Sequence, residues 1–287
     1  MNTSVLYHHA DICDEHFDLK RLHLCTLLIE LDMHRITYAV LDQRNGKIVL
    51  LKEIAAEPSD NAAETLINCI NNDAILKARY SKILLSAVCN KYTLVPSAFY
   101  DDDKSEGLFL FGNTLDEGEN LKTVALKMPL ASLIYSAPDV FDALSVKCFD
   151  DAQLFAHVAI LVQACMQRFR YKQHPVMVVH IRNGSYDLVL INESKLKLVN
   201  TFQYVSNDDF IYYLLFACEQ LGLNPETVET FLSGEVVDDS DEATAIRKYF
   251  SKCAFIPRTL NHGFAPVFDE IQAHRFTTLF DLSLCES

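Results

Sequence analysis

Four polar residues stand at corresponding places in a pattern that this chain repeats. Residues 27–51 and 177–199 each read as an apolar strand, a polar break, a second apolar strand, a polar turn and a third strand. The polar side chains at the two breaks are Glu30, Asp32, His180 and Arg182. A break of this kind turns the backbone amides and the flanking side chains toward one point, where a polar ligand could bind.

The second break contains the groups that an anion site needs. His180 and Arg182 precede Asn183-Gly184, and these residues could hold a small anion at the strand end. A plain hairpin, in which Gly184 supplies the positive φ, accounts for the same residues. The pattern favours the hairpin.

A third candidate lies at Ser233-Gly234-Glu235. A serine before a glycine could be a nucleophile at a sharp turn, but Leu232 and Glu235 do not complete the G-x-S-x-G pattern. We interpret the segment as a turn at the end of a strand predicted over 228–237.

Several residues near the start of the chain have side chains that bind metals: His8, His9, Asp11, Cys13, Glu15 and His16. They form no H-E-x-x-H motif and no cysteine pair, so a solvated arm is expected rather than a metal site. The acidic runs at 101–103 and 238–242 do not match a calcium-binding loop and are predicted to be solvated. No metal ligand set is predicted.

Composition excludes several classes of partner. The 287 residues carry a formal charge of -14, which disfavours nucleic acid because phosphate binding requires a basic surface. No run approaches the ~18 apolar residues of a membrane span, and the first residues lack the pattern of an export signal.

The nine cysteines include no C-x-x-C pair. We therefore expect a cytoplasmic protein with reduced thiols, of which Cys25, Cys89, Cys165 and Cys218 are buried.

The repeat, at a spacing of about 150 residues, predicts two homologous halves. We place the first at 1–172, with an irregular insertion at about 96–147, and the second at 173–287. Strands are predicted over 24–31, 36–41, 48–54, 83–89, 108–111, 123–127, 176–181, 228–237 and 254–257. Helices are predicted from 58–60 through about 74, over 151–170 with an Asp150/Gln153 capping box, over 208–221, and from 242 to 250.

This plan resembles the actin-like ATPase fold. Residues 212–215, 221–226 and 232–235 are similar to those of the cell-division actin homologue FtsA and the actin-like protein of the type IV pilus. With residues 94–96 and 282–286, the same segments resemble an uncharacterised Bacteroidetes family of actin-like fold. The resemblance implies a duplicated α/β, RNase-H-like fold of two mixed-sheet halves with flanking helices and a cleft between them.

The resemblance also shows which motif residues this chain has lost. Members of the fold hold phosphate with an Asp-x-Gly at each first hairpin, and here the aspartate positions carry Glu30 and His180. Asp32 and Arg182 replace the two glycines. At the adenosine motif Gly234 is kept, but Glu235 replaces a second glycine. Without the glycines, a Cβ blocks close approach of phosphate, so ATP hydrolysis is not expected.

Two functions remain open. The first is a non-catalytic binding or scaffold protein with an unknown protein partner and no cofactor. The second is a switch that still binds ATP, with Mg²⁺, or another phosphorylated ligand through Arg182, Gly184 and Gly234. We favour a cleft that closes through pairing of Arg182 with the carboxylates of Glu30, Asp32 and Glu235.

Overall fold

The computed structural model describes residues 10–56, 62–150 and 152–285. The strands are β1 (Asp11–Cys13), β2 (Cys25–Asp32), β3 (Arg35–Asp42), β4 (Lys47–Ala55), β5 (Lys82–Ala87), β6 (Tyr92–Pro96), β7 (Glu119–Leu126), β8 (Ala131–Pro138), β9 (Leu154–Ala156), β10 (Val176–Arg182), β11 (Ser185–Asn192), β12 (Lys195–Gln203), β13 (Glu229–Gly234), β14 (Cys253–Phe255) and β15 (Gly263–Phe264). The helices are α1 (Ala62–Asn72), α2 (Ser105–Leu110), α3 (Asp139–Cys148), α4 (His157–Arg168), α5 (Asn207–Gln220), α6 (Asp241–Arg247) and α7 (Thr277–Phe280). Short 3-10 turns lie at Leu19–Leu24, Ser97–Phe99, Asp102–Lys104, Pro266–Glu270 and Leu282–Cys285.

The first sheet is built on the meander of β2, β3 and β4. Strand β5 pairs in parallel with β2, and β9 pairs in parallel with β5. On its other edge, β4 pairs with β1 in antiparallel and with β15 in parallel. Strand β2 is apolar on both faces, and Leu27, Leu28 and Ile29 are fully buried. Such strands form the centre of a sheet that is covered on both sides.

The second sheet repeats this order and these strand directions. Strands β12, β11 and β10 form the meander, β13 is parallel to β10, and β14 is parallel to β13. Even the register corresponds, since Glu30 pairs with Ser86 of β5 and His180 pairs with Ser233 of β13. The predicted equivalence of strands 24–31 and 176–181 is confirmed, as is the mixed-sheet fold.

Helix α4 lies between the two sheets. Its buried side chains share one core cluster with the first sheet and with Val176, Val178 and Val189 of the second. Helices α5 and α6 cover the other face of the second sheet as a separate cluster. Residues 263–285 return to the first sheet through β15 and through α7, which contacts β2 and β3. The division at residue 172 stays a prediction.

The predicted helix over 151–170 begins later than expected. Residues 154–156 pair with β5 as the edge strand β9, and α4 starts at His157. Asp150 has a φ of 52°, so the predicted capping box with Gln153 is wrong. Pairing with β5 outweighs the helical periodicity of this apolar run, as tertiary context commonly does. The predicted helix start at 58–60 lies outside the described residues.

The insertion contains more regular structure than the sequence predicts. Strands β6, β8 and β7 form a three-stranded sheet, and α3 comes directly after it. The strand predicted over 108–111 is wrong, because this segment ends helix α2 and Phe109 packs on Val95 and Ile134. The strand predicted over 123–127 falls within β7, apart from its last residue.

The burial predicted for four cysteines is confirmed, because Cys25, Cys89, Cys165 and Cys218 are buried. The reduced state of all nine thiols stays a prediction. Burial raises the pKa of the Cys165 thiol to about 12, so it stays protonated and packs as a small apolar group.

Within the residues that the structure describes, none of the helices has the length and apolar character to cross a membrane.

Candidate functional site

The two hairpin breaks are tight turns at the ends of equivalent strands. Asp32 pairs with Arg35 across a two-residue turn, and Arg182 pairs with Ser185 across Asn183-Gly184. Gly184 has a φ of 70°, which a side chain would strain. These contacts support the hairpin interpretation of Gly184, whose carbonyl accepts a hydrogen bond from the amide of Tyr204 at 3.0 Å.

A fully buried carboxylate, Asp187 of β11, lies next to His180 in the second sheet. Arg182 donates to it from Nε at 2.9 Å and from Nη2 at 3.2 Å. Thr201 Oγ1 donates to it at 2.5 Å, and His157 Nε2 lies 2.9 Å away. Burial alone would raise the pKa of Asp187, but the Arg182 charge and the His157 contact hold it well below its usual range.

The side chains that complete this cluster come from the first half of the chain. The amide of Cys89 donates to His157 Nδ1 at 3.2 Å, so the proton of a neutral His157 is on Nε2 and points at Asp187. Asn90 Oδ1 accepts from Arg182 Nη2 at 3.0 Å. The predicted pairing of Arg182 with the cleft carboxylates is therefore wrong, because Asp187, five residues along the same hairpin, takes its guanidinium.

His180 and Ser233 face each other across β10 and β13. His180 Nδ1 lies 3.0 Å from Ser233 Oγ, and both side chains are buried. Burial lowers the pKa of His180 to about 3, so the ring is neutral near pH 7. A serine that is fully buried is not presented to a substrate, which supports the turn interpretation of Ser233-Gly234.

Gly234 is required by close packing. Its φ is +82°, and a Cβ at this position would lie 2.2 Å from the carbonyl oxygen of Ile181. Its amide donates to the carbonyl of His274 at 2.9 Å, and the amide of Glu235 donates to the carbonyl of Ile181 at 2.7 Å. The amides that would face a ligand at this turn are thus used inside the protein.

A second buried carboxylate, Glu53 of β4, lies on the first sheet. Arg275 Nη2 donates to its two oxygens at 2.9 and 3.2 Å, and the amide of Ala10 donates at 2.9 Å. Arg35 Nη1 lies 3.4 Å from Glu53 and also pairs with Glu235 at the end of β13. Arg35 therefore joins the first sheet to the end of β13, and Arg275 joins the C-terminal segment to the first sheet.

The carboxylates of the remaining predicted residues, Glu30 and Asp32, accept hydrogen bonds from protein groups. Glu30 Oε2 accepts from Thr278 Oγ1 of α7 at 2.7 Å. Asp32 Oδ1 accepts from the amide of His34, at 3.3 Å, within its own turn. Each of these two carboxylates therefore has a protein group as its hydrogen-bond partner.

Metal ligands do not converge in the described part of the chain, where no group of three or more His, Cys, Asp or Glu side chains could hold an ion. His8 and His9 lie outside the described residues. Asp11 and Cys13 belong to the edge strand β1. In the acidic loops, Asp101 pairs with Lys104 and Asp238 pairs with Arg247.

Sequence reasoning missed the two central acids, Asp187 and Glu53, and their partners His157 and Arg275. A signal was present, because Asp187 interrupts an apolar strand and His157 interrupts an apolar helix. Polar groups at such positions must find partners in the core. Nothing in the sequence showed which partners these would be.

Comparison with known proteins places the chain. It belongs to the family described as "Protein of unknown function (DUF3822)", which matches residues 14–253. No curated protein gives a significant match.

Solved structures agree on the fold. A Bacteroides thetaiotaomicron VPI-5482 protein with an actin-like ATPase fold and unknown function aligns with a TM-score of 0.76 and 20% identity, over 84% of this chain and 93% of that one. The PilM-PilN type IV pilus biogenesis complex aligns with a TM-score of 0.55 and 12% identity, over 90% and 97% of the two chains. The chain therefore has the actin-like ATPase fold.

The low pKa of His180 predicts loss of stability in acid. The unfolded chain, with an ordinary histidine pKa of about 6.5, takes up this proton before the folded chain does. Stability from this residue therefore decreases from pH ~7 toward pH ~3, by about 2 kcal/mol between pH ~7 and ~5. Urea unfolding at both pH values should show that His180→Asn flattens this dependence, while the exposed His23→Asn does not. Equal slopes in His180→Asn and wild type would contradict the assignment.

The Glu53–Arg275 pair should stabilise the folded protein. Glu53→Gln leaves two arginines without their shared carboxylate, so we expect unfolding free energy to fall by about 3 kcal/mol. Arg275→Met added to Glu53→Gln should cost less than the sum of the two single changes. Arg247→Met, at a surface pair with Asp238, is the control and should cost about 0–1 kcal/mol. Additive effects of the two cleft changes would show that the pair does not couple.

Proposed function

We propose that this DUF3822 protein is a non-catalytic binding or scaffold component with an actin-like fold. The observation that carries the proposal is the state of the cleft, where protein groups occupy the positions that would face a nucleotide. Arg182 is held by Asp187, and the Gly234 amide is held by the carbonyl of His274.

Phosphate binding at such a site requires free donors and close approach. The Gly234 and Glu235 amides already donate within the protein, and Asp32 and Arg182 carry a Cβ where close approach is needed. A phosphate would have to break existing hydrogen bonds to reach these amides. That requirement disfavours binding.

The charge of the cleft supports the same proposal. Five carboxylates, those of Glu30, Asp32, Glu53, Asp187 and Glu235, face three guanidinium groups, those of Arg35, Arg182 and Arg275. Each arginine already contacts a carboxylate. An anionic ligand would therefore meet an excess of negative charge and compete with charge-assisted hydrogen bonds.

Analogy within the fold favours protein assembly as the activity that remains. PilM aligns with this chain and is found with PilN in a type IV pilus biogenesis complex. By analogy alone, a chain of this fold can act through a protein partner. We propose the same general role here, with a partner in the cytoplasm.

A nucleotide titration tests the proposal. A ligand at about 100 times its Kd adds ~2.7 kcal/mol of stability, which corresponds to several degrees in Tm for a chain of this size. With millimolar ATP, ADP or a non-hydrolysable analogue and Mg²⁺, we expect Tm to change by less than ~1 °C, because the cleft donors are occupied.

Stabilisation by a nucleotide would contradict the proposal. A saturable increase in Tm that Arg182→Met abolishes and the surface control Arg247→Met preserves would establish a nucleotide-responsive switch in place of the scaffold. Calorimetric titration of the same proteins would give the Kd.

A further inference from the structure

The outer surface of α5 exposes aromatic side chains that the core does not use. The inner side of this helix packs on the second sheet through Phe210 and Leu214, which are fully buried. On the outer side Tyr212 is 60% exposed and Phe216 is 44% exposed. Their rings stack, with centroids 6.0 Å apart and planes inclined by 13°. Exposed aromatic pairs of this kind are common at protein interfaces.

A depression lies beside this aromatic pair. Its volume is about 420 Å³, and Leu215 of α5 forms one wall. Pro225, in the loop after α5, and Tyr249, which lies just after α6 and is 47% exposed, also line it. We call Tyr212, Leu215, Phe216, Pro225 and Tyr249 the aromatic groove. The groove thus combines a recess, which Asn224, Glu226 and Lys248 also line, with the two exposed aromatic rings on the outer side of α5.

The charges around the aromatic groove are mostly negative. Asp208 lies one turn before Tyr212, Glu219 lies three residues after Phe216, and Glu226 lines the depression. All three are exposed, and among the residues that the structure describes none of them forms an ion pair. Among the described residues that line the depression, Lys248 is the basic one and Glu226 the acidic one. The excess negative charge therefore comes from Asp208 and Glu219 of α5, and it favours a cationic partner.

The same charges disfavour a second copy of this chain as the occupant. A two-fold contact through this surface would bring the acidic residues Asp208, Glu219 and Glu226 of one copy close to those of the other. Each copy also carries a formal charge of -14. Self-association here therefore places like charges together.

We infer that the aromatic groove binds a basic amphipathic segment of another protein. Its apolar side chains would enter the depression between Leu215 and Tyr249. Its Lys or Arg side chains would pair with the surrounding carboxylates, and a guanidinium can also stack on a tyrosine ring. This inference deepens the proposed function and rests on it, since it names the surface and the partner class of the scaffold.

Selection from a random peptide library tests the inference. The probe is a display library of random peptides of about 16 residues, or four helical turns, panned on the full chain. We expect the enriched peptides to combine Lys or Arg with Leu, Ile or Phe at i, i+3 or i+4 spacing. Their affinity should fall at least about tenfold for Tyr212→Ala/Phe216→Ala and for Glu219→Lys/Glu226→Lys.

Matched controls separate this groove from general charge attraction. Phe99→Ala/Phe111→Ala removes two aromatic residues that are 77% and 96% exposed in the insertion, and Asp102→Lys/Asp103→Lys reverses two exposed acids there. Both controls should bind the selected peptides as the wild type does. Failure to enrich any peptide, enrichment of acidic peptides, or equal binding by the groove variants would overturn the inference. Dimerisation through the groove in sedimentation experiments would also overturn it. None of these outcomes involves the nucleotide titration, so the two proposals fail separately.

Discussion

The arrangement of the two sheets depends on the buried carboxylate of Asp187. A charge without solvent is tolerated only when its hydrogen bonds are satisfied, and here Arg182, Thr201 and His157 satisfy it. Because His157 is the first residue of α4, the helix between the sheets must start where its ring reaches β11. One charge thus fixes how α4 and the second sheet meet. Networks of this kind lose much of their stabilising free energy when one member is removed.

A second polar cluster supports the opposite side of the cleft. Arg275, in the C-terminal segment that returns to the first sheet, donates a hydrogen bond to Glu53. Arg35 forms ion pairs with both Glu53 and Glu235. The apolar residues around α7 complete the first core, so this segment is part of the fold and also of the cleft. With both clusters in place, the donors of the cleft are used internally. This is why we propose a recognition surface outside the cleft, at the aromatic groove on α5.

Hydrophobic pattern was sufficient to predict the two meanders, but not the elements that distant contacts determine. The equivalent strands were predictable because each strand's pattern reflects its own burial. The predictions for residues 154–156 and 108–111 were wrong, since pairing with β5 and packing on Val95 determine their structure. The positions of Glu30, Asp32, His180 and Arg182 at the two breaks could be predicted from alignment of the repeats. The partners of Glu30, His180 and Arg182 could not, because Thr278, Ser233 and Asp187 lie on α7, β13 and β11, outside the two breaks.

Hydrogen–deuterium exchange at the turn after β13 tests the central claim most directly. The amides of Gly234 and Glu235 donate to the carbonyls of His274 and Ile181, so a closed cleft predicts slow exchange of the peptide that covers residues 230–237. The exchange rate should be the same with and without millimolar Mg²⁺-ATP. Fast exchange in the free protein that slows on addition of nucleotide would contradict the account. It would mean that these amides are not hydrogen-bonded within the protein and become protected only when a ligand binds.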